Sequence, residues 1–91
     1  MTENVISIDE QPAENHNKIY TISTKYMATI CMIGDILAIL IEKESQLETS
    51  PNGGYMVNVT LSEDTFNELK KKMHAAFPGL KIILPGDLVL I

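Results

Sequence analysis

The spacing of apolar positions changes several times along this chain, and each change marks an element. From Lys18 to Ser23 the residues are β-branched and aromatic, which reads as a strand. Ser23 or Thr24 then offers a helix N-cap. From Tyr26 to Ile41 only Thr29, Gly34 and Asp35 interrupt an apolar stretch. As a helix, this stretch puts Tyr26, Ile30, Ile33, Leu37, Leu40 and Ile41 on one broad face. Ala28, Met32 and Ile39 form a second apolar face about 120° or more away. Cys31, Gly34 and Ala38 make a small-residue strip beside Asp35 and Glu42. As strands, the same stretch turns at Gly34-Asp35 between two apolar arms. Length, Ala and Met content and the Glu-Lys-Glu continuation favour the helix, and the hairpin stays open as the alternative.

Glu44 to Thr49 alternates Glu44, Gln46 and Glu48 with Ser45, Leu47 and Thr49, as a charged edge strand does, although a fraying helix end has the same composition. Ser50-Pro51-Asn52-Gly53-Gly54 is a turn cluster. Tyr55, Val57, Val59 and Leu61 then alternate with Met56, Asn58 and Thr60, the clearest strand in the chain. Ser62 caps the next helix, with Glu63 and Asp64 in its first turn, where carboxylates suit the positive end of the dipole. Phe66, Leu69, Met73, Ala76 and Phe77 supply its apolar stripe, and Pro78-Gly79 ends it. Leu80 to Leu84 is a further strand, Pro85-Gly86 a turn, and Asp87 to Ile91 a last apolar run. The order β-α-β-β-α-β plus a C-terminal strand predicts an α+β domain over residues 18–91. Its plan is the ferredoxin-like split β-α-β, an antiparallel sheet with two helices on one face.

Charge separates the ends of the chain. Residues 1–17 hold Glu3, Asp9, Glu10 and Glu14 and no lysine, which predicts an acidic, flexible N-terminal tail whose one apolar island, Val5-Ile6-Ser7-Ile8, is able to dock as a short strand. Residues 18–91 hold eight acids against seven lysines, so most of the net charge of −5 belongs to that tail. The nearly neutral remainder offers no basic stripe for nucleic acid and no dense acidic face to imitate it. Arginine and tryptophan are both absent. The planar fork that grips phosphate is missing, as are two of the residues that usually anchor tight interfaces. Lys70-Lys71-Lys72 reads as a solvated helix surface.

Length and charge argue for a buried helix over a membrane span. The apolar run between Lys25 and Glu42 is 16 residues, short of the ~20 a bilayer core needs. Asp35 inside it would cost roughly 2.5–3.5 kcal/mol. With a lone cysteine and no positive-then-apolar leader, a reducing, cytoplasmic setting is the expectation.

Candidate chemistry is sparse. Cys31 lies among Ile30, Met32 and Ile33 with no histidine near it in sequence, and reads as a buried structural thiol. His16 and His74 have no carboxylate at ligand spacing, so neither a metal nor another cofactor is expected. Glu68 reads as the i,i+4 partner of Lys72. The glycines of Asn52-Gly53-Gly54 precede a strand rather than opening a helix, so a turn explains them better than a phosphate cradle. Gly54 to Val59 resembles the central strand of an RNA-recognition module only in outline. Tyr55 shares its face with Val57 and Val59, and the basic residues are missing, so that reading is rejected.

What remains is surplus apolar surface. One face of the first helix covers a sheet this small, which leaves over Ala28, Met32 and Ile39 of that helix, Leu88 and Leu90 of the last run, and Met56 and Ile83 on the open side of the sheet. A chain of this size buries only roughly 60–65% of its unfolded surface. At ~25 cal/mol per Å2, covering several hundred Å2 more contributes several kcal/mol. These seven residues are the expected interface of a homodimer. The functional expectation is a non-enzymatic, cytosolic protein-interaction or regulatory module that binds protein rather than nucleic acid or membrane. A small inhibitor of a larger protein fits its size. The alternative is a small-molecule sensor with its ligand at a dimer interface near Tyr20, Lys25 or Asn58. No nucleophile–base pair supports an enzyme.

Overall fold

The structure is a computed structural model and describes residues 5–51 and 53–84. Strand β1 spans Val5–Pro12 and β2 Lys18–Thr24; α1 covers Met27–Ile41, β3 Leu47–Thr49, β4 Tyr55–Leu61, α2 Glu63–Ala76 and β5 Lys81–Ile83. The strands form one five-stranded sheet in the order β3-β4-β2-β1-β5. Neighbours are antiparallel except β1 and β5, which run parallel with Ile6 opposite Ile82. The fold is therefore α+β with a mixed sheet, not the wholly antiparallel one that the element order predicts.

The difference comes from β1. It lies within residues 1–17, the stretch that charge assigns to a tail, yet Ile6 and Ile8 are buried while Ser7 and Asp9 face outward. That is the alternation of a strand covered on one side. Its acids sit where they cost little, since Asp9 to Pro12 are all exposed at the far end of the β1–β2 hairpin. The hairpin closes through Ala13 to Asn17, with Asn15 and His16 in the left-handed region at φ 58° and 63°. β5 runs antiparallel to β2, but β1 stands between them and has the same direction as β5, so the β1–β5 ladder is parallel. The last apolar run, with Leu88 and Leu90, lies outside the described residues.

Met27–Ile41 is a helix, and Gly34-Asp35 makes no turn in it. Neither Ser23 nor Thr24 caps it. The N-cap is Tyr26, with no side-chain cap hydrogen bond, because the Thr24 hydroxyl donates to the Val5 carbonyl at 2.9 Å while accepting from the Tyr26 N–H at 3.3 Å. α1 therefore depends on packing: Ile30, Ile33 and Leu37 are buried against the sheet, with Thr29 beside them. α2 begins as predicted, with the Ser62 Oγ accepting from the Thr65 N–H at 3.2 Å. Phe66, Leu69 and Met73 are its buried stripe, Phe77 is half-buried, and Ala76 is exposed, beyond the reach of the core. Glu68 and Lys72 are not paired; the ion pair among the described residues joins Lys18 to Glu10 at 3.7 Å.

Both helices share one core with the buried side of the sheet. Tyr20, Ile22, Val57 and Val59 form its central rows, since Tyr20 stands opposite Val59 and Ile22 opposite Val57. The turn between β3 and β4 closes with the Ser50 N–H donating to the Gly54 carbonyl at 2.7 Å and the Gly53 N–H donating to the Ser50 carbonyl at 3.0 Å. Gly54 is required there, because a Cβ at that position would lie 2.6 Å from the Thr24 carbonyl oxygen.

Candidate functional site

α1 turns its second apolar face to solvent. Ala28 and Ile39 are exposed, Ile39 to 74%, and Met32 is half-buried where it also packs on the core. Cys31 is exposed on the same side, which corrects the expectation of a buried thiol. The helical phase explains it: Ala28, Cys31 and Asp35 are three and four residues apart and share a flank, while Ile30, Ile33 and Leu37 carry the core. Sequence reasoning did not single out Met27, 59% exposed at the start of the helix, or Leu47, 43% exposed on β3. Cys31, Gly34 and Ala38 leave a groove of about 230 Å³ between α1 and the chain around Ser45 and Leu47. The small-residue strip was the sequence signal for it.

The open side of the sheet is more polar than its apolar positions suggested. Register places Glu48, Met56, Ser23, Ser7 and Ile83 in one row across all five strands. Met56 and Ile83 are both half-buried and are separated by the two serine strands, so they make no continuous apolar patch. The neighbouring row is a polar ladder. The Thr21 hydroxyl donates to Asn58 Oδ1 at 2.6 Å, and Asn58 Nδ2 donates to Glu48 Oε2 at 3.1 Å. Of the seven expected interface residues, Ala28, Met32 and Ile39 are thus brought together, while Met56 and Ile83 stand apart on the other side of the sheet.

The three residues of the ligand alternative are not brought together. Tyr20 is 1% exposed and faces the helices; Asn58, on the adjacent strand, faces the opposite side. Burial, and then the charges of Glu10 and Glu63, hold the Tyr20 phenol above its ordinary value of 10.0, so it stays neutral. Lys25 does line a cavity of about 330 Å³, together with Ser7, Ser23, Tyr26, Ser50 and Gly54. Tyr55 is half-buried beside Val57, not presented on the open face.

The basic run on α2 divides in two. Lys70 places its ammonium 5.0 Å from the centre of the Phe66 ring, while Lys71 and Lys72 are exposed. His74 lines a shallow depression with Asn67, Lys70 and Lys71. Among the described residues, no three His, Cys, Asp or Glu side chains lie where they could hold a metal ion, and no helix is long and apolar enough to cross a membrane. The chain matches no known protein family, and no curated protein is recognisably similar to it.

Proposed function

We propose that this chain is a non-enzymatic, cytosolic protein-interaction module that works as a homodimer, and that the outward face of α1 is its contact surface. The observation that carries this reading is the 74% exposure of Ile39, on one stripe with exposed Ala28 and half-buried Met32, on a helix whose other face already fills the core. A monomer gains nothing from presenting such side chains, whereas a covering chain removes them from water. The polar ladder on the open sheet argues against the contact lying there. A ferredoxin-like split β-α-β unit with β1 inserted is the topological counterpart of this proposal. In it both helices cover one side of the sheet and α1 remains accessible from outside. A regulator or inhibitor of a larger protein is the role that suits so small a module.

Light scattering on the eluting chain at micromolar concentration tests the reading. The expected mass is about 20 kDa, twice the 10.1 kDa of one chain. A single species at 10.1 kDa throughout the concentration range refutes the homodimer. The cavity around Lys25 supports a second reading, a sensor of a small anionic molecule. A thermal-shift screen with amino acids and nucleotides distinguishes it, because the first reading expects no shift with any of them.

A further inference from the structure

We propose that α1 receives α1 of a second copy in antiparallel orientation, with Lys25 of each subunit beside Glu42 of the partner subunit. This rests on the homodimer reading and gives its geometry. A two-fold contact is self-complementary: if one residue meets another, the reverse contact forms as well. The exposed stripe of α1 meets that condition when the axis passes between the levels of Ile33 and Gly34. Ala28, small and exposed, then faces Ile39 of the partner subunit, the most exposed large apolar side chain among the described residues. Met32 lies level with Asp35 of the partner subunit, and Lys25, just before the helix, lies level with Glu42 of the partner subunit, the residue that ends it.

Electrostatics gives an independent reason for the same orientation. A helix favours acids at its N-terminus and bases at its C-terminus. α1 has no acid in its first turn and no base in its last. Instead Lys25 stands just before it and Glu42 ends it, each beside the end of the dipole that carries its own sign. Glu44 adds to the acidic end and Lys43 offsets part of it. Lys25 and Glu42 have no ion-pair partner among the described residues. An antiparallel second helix supplies what is missing at both ends, bringing Glu42 of the partner subunit to the N-terminus and Lys25 of the partner subunit to the C-terminus. A parallel pair would bring like charges together at each end.

The contact is modest in size. Fifteen residues give a helix about 22 Å long, and one helical stripe supplies less than the roughly 800 Å2 per partner of a standard interface. The charge pairs should therefore be visible in the dissociation constant.

Sedimentation of the full chain, alone and mixed, tests the geometry. Lys25→Glu and Glu42→Lys each turn two attractions into two repulsions, and each should raise the dimer dissociation constant roughly tenfold. An equimolar mixture of the two variants restores opposite charges at both ends of a heterodimer and should regain wild-type affinity. High salt should erase the differences. Circular dichroism checks that the exposed substitutions leave the fold intact. A dimer indifferent to both charge reversals, or variants that mixing does not rescue, overturns the antiparallel contact and leaves the homodimer standing. A wild-type chain that is monomeric throughout, its α1 face serving another protein, overturns both.

Discussion

Tyr20 on β2 and Phe66 on α2 stack face to face, with ring centroids 3.9 Å apart and planes 5° from parallel. The pair fixes the second helix to a central strand of the sheet, and the Lys70 ammonium lies 5.0 Å from the Phe66 ring centre. Both rings are almost wholly buried, at 1% and 4% exposure. Removing one leaves a cavity its neighbours cannot fill. Phe66→Ala should lower the unfolding free energy by about 3–5 kcal/mol, and Phe66→Leu by less than about 2. Urea denaturation measures both. Equal, small losses for the two would mean that the stack contributes little.

Tyr20 also makes the fold sensitive to alkali. Burial, with Glu10 and Glu63, raises its phenol above 10.0 in the folded chain, so the folded state keeps a proton that the unfolded state begins to release near pH 10. The stability held by this group is complete below that value and declines as pH rises through and beyond it. Urea midpoints measured from pH 9 upward should fall less steeply in Tyr20→Phe than in the wild type.

Two glycines should respond in opposite ways to alanine. Gly54→Ala forces a Cβ to within 2.6 Å of the Thr24 carbonyl oxygen, and should cost roughly 1–3 kcal/mol. Gly34→Ala adds a methyl at an ordinary 3.5 Å from Leu47 inside a helix, and should gain roughly 0.5–1 kcal/mol. Thermal melts of the two variants report the sign directly.

Ile39→Glu alters a side chain that is 74% exposed, so the melting temperature at high dilution should hardly move while dimer formation is lost. Cys31, exposed on the same helix, gives a second readout. Its rate of alkylation should fall as protein concentration rises, and should not fall in the Ile39→Glu variant. A rate independent of concentration in the wild type would count against the α1 face.

Glu42 closes α1 in the left-handed conformation at φ 52°, a position that usually favours glycine. Glu42→Gly should therefore stabilise the dilute monomer by roughly 0.5–1 kcal/mol and at the same time weaken the dimer. Opposed effects of one substitution would separate the cost of the cap from the use of its side chain.

Much of the fold was legible because its signals are local. The alternation from Tyr55 to Leu61, the Ser62 cap with its two acids, and the turn before Gly54 each depend on residues adjacent in the chain, and each forms where read. β1 was harder to recognise. Only Ile6 and Ile8 among its residues are buried, and the four residues that follow are exposed. What makes it a strand is pairing with β2 and β5, partners that lie further along the chain. The Thr24 hydroxyl looked like a helix cap for the same reason: its actual acceptor, the Val5 carbonyl, is distant in sequence.

The candidate surface divides along the same line. Helical periodicity alone separates Ala28, Met32 and Ile39 from the core-facing residues, because the angle between successive side chains is a property of the backbone. Whether a left-over apolar residue becomes exposed depends on what packs beside it. Met32 finds neighbours in the core, while Met56 and Ile83 are separated by serines on two intervening strands. Local sequence thus sets the elements and their faces; long-range packing, which obeys strand order and register, chooses which of those faces is left uncovered.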